Sequence, residues 1–509
     1  MKKALTLILA LIMVVSLLVG CNNDPATGDK ESSKPNNDQQ ASGSGNNDGT
    51  NPEESESETE SEKIDYGIPD DLNYNDATIE VLGWNSVFPE WGVDADSMNG
   101  DPVADAVYRR NLYTEELLGV KLNFTILEGR SGGETKYSAA LKNRASDPST
   151  PIDIVSAYSR CSAYVALEGM FQDLTQFENF DATKEWWPQY LCDELSIDNR
   201  LYFTTGDVST SVMYMMYGVF YNNTLLEERG LDNPVDLVDN DEWTLDKFIT
   251  MSTGVYEDID GTEGISDGDF FGFGGLYYDL DPVFHGAGYH IAVPSNEEGE
   301  YIKWSDEYFS ELVEQFLTKT QAWLKDDASA FRTSSDISIT AFSEGRLLFR
   351  IGGSKHGGYY RDTDLVYGIV PMPKLDPSKQ DNFVTCLGNA YSLWSVSSHT
   401  HDSERAAAVM QVMGYYGKET ITPAVFDITL KGKWSKNDDM LRMWDIMRET
   451  ISIDLGRIYH SQLGKAPGVI SMAIINGTNW STLTNPLQLS TKQKMMDKLN
   501  IQIKALING

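Results

Sequence analysis

Between Asn22 and Lys63 this chain carries almost nothing with which to build a core. The stretch is made mainly of Asn, Asp, Gly, Ser, Glu and Pro, and it ends in the acidic repeat Glu53-Glu54-Ser55-Glu56-Ser57-Glu58-Thr59-Glu60. Such a composition buries too little apolar surface to offset the entropy of ordering a backbone. It reads as a disordered acidic tether, so whatever folds must lie between Ile64 and Gly509. Fully stretched, about 42 such residues reach ~140 Å, and as a flexible coil they span roughly 35–40 Å, more where like charges push them apart.

What precedes the tether says what it is tied to. Lys2 and Lys3 lead into an apolar run from Ala4 to Val19, and Leu18-Val19-Gly20-Cys21 follows the pattern of a cleavage site with a cysteine directly after the cut. The run falls short of the ~20 residues a helix needs to cross a bilayer, so positions 1–20 read as a secretory signal. A cysteine in that place is where bacterial lipoproteins carry their lipid, which makes Cys21 the expected lipidation site. The alternative is a plain secretory signal with a chance cysteine. The expected location is the extracellular face of the cell membrane of a thick-walled, Gram-positive bacterium, held through lipid alone.

The remaining chain is long enough for two or three ordinary domains. A formal charge of −37, with 77 acidic residues against 40 basic ones, argues against a nucleic-acid partner and against docking on anionic headgroups. A soluble monomer is expected. No second apolar run approaches membrane length. Beyond Cys21 there are Cys161, Cys192 and Cys386. An odd number cannot all pair within one chain; a Cys161–Cys192 disulfide and buried free thiols both fit, and no metal-binding spacing occurs.

From Thr78 onward strands and helices alternate: strand 78–82, helix 103–118 closed by Gly119, strand 120–126, helix 135–144 and strand 152–157. That order predicts an α/β chain with a parallel, helix-covered sheet. Further helices are expected over 245–252, 306–324, 404–413, 438–451 and 492–506, with Ser305 and Ser403 as N-caps of two of them. In open parallel sheets ligands sit beyond the carboxyl ends of the strands. The first strand ends in Gly83-Trp84-Asn85, with Phe88 and Trp91 close behind, and the third in Tyr158-Ser159-Arg160. Aromatics there either cap the core or face a ligand.

Several short blocks, in order, carry a resemblance. They are Asn199-Arg200-Leu201-Tyr202-Phe203, Gly206-Asp207, Val219-Phe220-Tyr221-Asn222-Asn223, Gly230-Leu231 and Glu242-Trp243-Thr244. Phe342-Ser343-Glu344-Gly345-Arg346 and Val366 to Lys374 continue the series, and Glu404-Arg405-Ala406-Ala407 ends it. Together they resemble the family 1 extracellular solute-binding proteins of carbohydrate ABC importers. The resemblance implies a two-lobed, periplasmic-binding-protein-like (class II) α/β fold with a hinge. The first lobe would span 64–210 plus 371–416, and the second 211–370 plus 417–509. It also implies a carbohydrate, favouring an oligosaccharide, in the cleft, and membrane permease subunits as partners.

A pyranose offers an apolar CH face to an aromatic ring and an equator of hydroxyls to planar donors and acceptors. By position, the candidates on the first lobe are Trp84, Asn85, Trp91, Tyr158, Arg160 and Asp207, and on the second Tyr277, Tyr278, Lys355 and His356, with Trp480 as an outside candidate. Each could equally be an ordinary core, surface or hinge residue.

Other patterns are weaker. The stretch 258–269, Asp-Ile-Asp-Gly-Thr-Glu-Gly-Ile-Ser-Asp-Gly-Asp, resembles a twelve-residue calcium loop, but position six is Glu263 instead of the turn glycine and position twelve is Asp269 instead of a bidentate glutamate. A solvated acidic turn is the default, with a structural Ca²⁺ on Asp258, Asp260 and Asp269 the alternative; no other metal or cofactor is expected. Gly352 to Gly358 lacks phosphate-loop spacing, and no His-based zinc motif or nucleophile elbow appears. The chain is expected not to be an enzyme. The competing function is a cell-surface glycan-binding or glycan-active lipoprotein not coupled to transport.

Overall fold

The computed structural model describes residues 64–508 except 93–97, 276, 326–329 and 333–334. The signal, Cys21 and the tether lie outside the described residues. In chain order the principal strands are β1 (Ala77–Trp84), β2 (Val120–Leu127), β3 (Ile154–Tyr158), β4 (Tyr217–Asn222), β5 (Phe271–Gly275), β6 (Ala330–Arg332), β7 (Leu347–Gly353), β8 (Tyr367–Val370) and β9 (Ser392–Val396). The helices used below are α1 (Pro102–Leu118), α2 (Glu134–Ala145), α3 (Ser159–Ala166), α4 (Glu311–Lys325), α5 (Ser403–Tyr416), α6 (Asp438–Glu449), α7 (Ala466–Asn476) and α8 (Pro486–Asn508).

These strands form two sheets. The first has the order β9-β3-β1-β2 and the second β8-β4-β7-β5-β6. In the first, β1 runs parallel to β2 from Ala77↔Val120 to Trp84↔Leu127 and parallel to β3, as strand–helix alternation demands. It is not wholly parallel, because β9 returns from much later in the chain, beyond the whole second sheet, to pair antiparallel with β3. The second sheet is mixed: β4 is antiparallel to both β8 and β7, while β5 is parallel to β7 and β6. The chain therefore passes between sheets between β3 and β4 and again between β8 and β9.

Local chemistry explains the best-defined helix. Asp101 accepts from the backbone N–H groups of Val103 and Ala104, Pro102 sits at the first helical position, and Gly119 at φ 58° ends the helix. Its buried face is Val103, Ala106, Val107, Arg110, Thr114 and Leu118. Two expected caps fall one step away. Ser305 accepts from Tyr308 N–H, but Asp306 is the cap position of the 3-10 turn Glu307–Phe309, and α4 starts at Glu311 and not at 306. Asp402, and not Ser403, caps α5 by accepting from Arg405 N–H at 3.0 Å. The last helix begins at Pro486, ahead of the expected 492.

After α5 the backbone continues through two π-helical stretches, Gly417–Ile421 and Pro423–Trp434. π-Helix is rare and favours functional positions. This stretch touches both halves of the molecule: Thr420 donates to the Ala106 carbonyl of α1, and Trp434 covers Gly357 and Gly358 beyond β7. Cys161, Cys192 and Cys386 are buried free thiols, so the Cys161–Cys192 pairing is not formed. Burial pushes all three thiols up, Cys161 to about 12. Among the described residues no helix is long and apolar enough to cross a membrane.

Candidate ligand-binding cleft

β3 delivers Tyr158 and α3 begins immediately after it, so Tyr158 and Arg160 stand at a strand's carboxyl end. They open on a cavity of about 820 Å³. Ser131 joins them on that wall; Met215, Tyr217 and Gly388-Asn389-Ala390 form the floor; Tyr278, Asp281, Pro282, Arg457, His460 and the start of α7 face them. The volume lies within the ordinary range for small-ligand sites.

Each wall is fixed from behind. The edge of Tyr158 meets the ring of Trp84 at 5.4 Å and 75°. Ser159 Oγ donates to the Asn389 carbonyl at 2.8 Å, and Gly388 N–H donates to the Met215 carbonyl at 2.8 Å, tying the floor to β3. Gly388 has no room for a side chain, since a Cβ there would lie 2.2 Å from Met215 Cε and 2.7 Å from the Tyr217 ring.

Opposite, Arg457 projects from the short helix Leu455–Ile458, whose N-cap is Asp454. Its Nε and Nη2 both reach Asp281 Oδ2 at 2.9 Å, and its Nη1 donates to Cys386 Sγ at 2.7 Å and to the Leu387 carbonyl. Burial alone would push the Asp281 carboxyl up and the Arg457 guanidinium down. The attraction between them wins on both sides, holding Asp281 well below the usual carboxylate range and Arg457 above its ordinary value. The pair is therefore ionised at any working pH and locks Asp281 to the strand segment at 386–387.

Of the positions expected from sequence, the structure brings Tyr158, Arg160 and Tyr278 to this one cavity. Trp84 and Trp91 do not line it. Both are core: Trp84 Nε1 donates to Ser392 Oγ and Trp91 Nε1 to the Trp84 carbonyl, each at 2.9 Å, so neither indole has a donor left for a ligand. Asn85 accepts from Gly129 N–H. Asp207 accepts from Thr422 and Arg448 beside a separate cavity of about 380 Å³. Lys355 lies over the Phe88 ring, His356 Nδ1 is 2.8 Å from Arg350 Nη1, and Trp480 is buried at the head of a short helix. The Tyr277 side chain lies outside the described residues.

Sequence reasoning missed Asp281, Arg457, His460, Lys465 and the 388–390 floor. The available signal was Ala466-Pro467-Gly468, a helix start opening from a non-periodic stretch.

The acidic loop brings one carboxylate oxygen from each of Asp258, Asp260 and Asp269 within 4.8 Å of the others. Gly261 and Gly264 take the positive φ that position six, Glu263, does not. Asp260 accepts from Ser266 Oγ and Thr262 N–H, and Asp258 from Gly261 N–H. Asp269 is buried; its Oδ2 accepts from Tyr256 and Ser266, while its Oδ1 has no partner among the described residues.

No family model matches the chain, and no curated protein does. Solved structures do. A substrate-binding protein of an ABC transporter from Listeria monocytogenes, in complex with cycloalternan, is 12% identical, with TM-score 0.52, over 84% of this chain and 99% of its own. The maltose-binding periplasmic protein of the same organism, in complex with maltose, is 14% identical over the same shares, again at 0.52. A cyclo/maltodextrin-binding protein complexed with maltotetraose is 14% identical, TM-score 0.53, over 82% of this chain and 96% of its own. At such identities the likeness establishes architecture: the body from Ile64 onward has the two-lobed α/β fold of these sugar-binding proteins.

Proposed function

We propose that this chain is the substrate-binding lipoprotein of an ABC importer. It captures a carbohydrate, an oligosaccharide by preference, between its lobes and presents it to a membrane permease, without catalysing a reaction. The observation that carries the reading is the cavity of about 820 Å³, where Tyr158, Tyr217 and Tyr278 offer rings and Arg160, Asn389 and Ser131 offer planar or hydroxyl polar groups. Ligand that binds the closed lobes better shifts the hinge toward closure, and the permease reads that shape.

The test is thermal unfolding of the body from Ile64 with a panel of oligosaccharides. A ligand at 100 times its Kd adds about 2.7 kcal/mol, which moves the midpoint by at least about 1–2 °C. A shift for one glycan with the glycan recovered intact supports capture; its hydrolysis on incubation points to a glycan-active enzyme; silence across the panel rejects the carbohydrate. Calcium in the same scans addresses the acidic loop, where the unpartnered Asp269 Oδ1 fits a hard cation. Stabilisation by Ca²⁺ that disappears in Asp269→Asn supports a structural ion, and no effect leaves the solvated turn.

Anchoring rests on Cys21. Cells expressing the full chain should retain it in the membrane fraction and incorporate labelled palmitate into it. Cys21→Ala should release it to the medium, and unchanged retention would reject the lipid.

A further inference from the structure

The charges facing the cavity reverse the balance of the chain. Acidic residues outnumber basic ones 77 to 40 overall, yet the cavity wall offers Arg160, Arg457 and Lys465 against one carboxylate, Asp281. Asp281 is committed to Arg457. Arg160 and Lys465 are left without a carboxylate partner among the described residues.

Arg160 is only 8% exposed. Its Nη1 donates to Ser131 Oγ at 3.1 Å, and its Nε has no partner. A guanidinium so deeply buried on one neutral acceptor is far from regaining its hydration. Nearby carboxylates are bonded elsewhere: Glu134 accepts from Gly132 N–H, and Asp281, which also feels the charge of Arg160, is bonded to Arg457. Lys465 is exposed at the N-cap of α7 with φ 61°, and Pro467 and Gly468 of the first turn line the same space. A Cβ at Gly468 would meet nothing within 4 Å, so the space beside the first turn is open, but Pro467 has no N–H and that of Gly468 is spent on the Lys465 carbonyl, which leaves recognition there to side chains. His460 lines the same cavity, and its Nδ1 has no partner among the described residues. Burial, then Arg160 and Lys465, push it down to about 4, so its ring is neutral at pH 7 and leaves the two cations to face the ligand.

We propose that the cleft is built for an acidic glycan, a uronate carboxylate being received by Arg160 and Lys465 at the head of α7. This rests on the carbohydrate-capture reading and names its substrate class. The planar fork of Arg160 matches a carboxylate by two parallel hydrogen bonds. The hydroxyls of a neutral sugar would satisfy its donors and bring it no counter-charge of its own.

The test is titration calorimetry of the mature chain carrying Cys21→Ser, against neutral oligosaccharides, oligouronides of the same lengths, and each uronide as its methyl ester. The expected result is binding of a uronide, at least tenfold weaker binding of its ester, and a further tenfold loss of uronide affinity in both Arg160→Gln and Lys465→Gln. Lys465 is exposed, so its variant keeps the fold and the test stands even where Arg160→Gln unfolds. A neutral glycan bound as tightly as any uronide, or an ester bound as tightly as its acid, would overturn the acidic class and leave carbohydrate capture standing. No binding by any member would overturn both.

Discussion

Asp281→Ala is expected to cost about 3–5 kcal/mol of folding stability, the largest effect of any single charge removal near the cleft. The substitution leaves Arg457 buried without its hydrogen-bonded counter-charge, on Cys386 Sγ and the Leu387 carbonyl, with only the more indirect attraction of Asp454 remaining. Urea unfolding at pH 7 reads the loss as a lower midpoint at unchanged slope. Asp281→Asn keeps an oxygen acceptor for the guanidinium and should fall between the two. The pair also sets an acid limit. Because the folded-state pKa of Asp281 is depressed, its contribution is fully present above the unfolded carboxylate value near 4 and is lost as pH falls below that toward the folded value. Wild type should therefore lose stability below about pH 4 in a step that Asp281→Ala lacks. Equal midpoints for wild type and Asp281→Ala at pH 7 would show that the pair holds nothing together.

Tyr158→Ala should damage both stability and binding. Truncating a buried aromatic typically costs about 3–5 kcal/mol, and here it also strips Trp84 of its edge partner. Loss of the ring from the cavity wall removes the stacking face for a sugar, with an expected affinity loss of about 100-fold, as for a central aromatic anchor. Tyr158→Phe separates the two effects. It keeps the ring against Trp84 and deletes one hydroxyl, so stability should change by only about 1 kcal/mol and affinity by about tenfold. Calorimetry on both variants decides. If Tyr158→Ala, still folded, binds glycan as wild type does, the cavity beside β3 is not the site.

How far the sequence revealed this molecule varied along the chain. The first three strands of the first sheet were legible because they alternate with helices within short range and carry their own punctuation, Asp101-Pro102 before α1 and Gly119 after it, whereas antiparallel β9 arrives from far along the chain. The second sheet was recovered only through resemblance, since its mixed order pairs β4 with strands that arrive much later in the chain and carry no local signal of the pairing. Of the residues the strand-end rule pointed to, Tyr158 and Arg160 line the cavity while Trp84 and Trp91 lie in the core. The reason is local: a Cβ on Gly83 would lie 2.9 Å from the Trp91 ring, so the bare backbone at Gly83 lets Trp91 lie flat on β1 and spend its N–H on the Trp84 carbonyl. The opposite wall was invisible because Asp281 and Arg457 are 176 positions apart and acquire meaning only as a pair.

The three protonated, inaccessible thiols make the folded body chemically silent toward thiol-directed dyes. One cysteine introduced at exposed Tyr113 on α1 and another at exposed Ile501 on α8 would then carry a donor and an acceptor fluorophore with no background labelling. Any approach of the lobes on ligand capture becomes a change in energy transfer, followed one molecule at a time in the otherwise native protein.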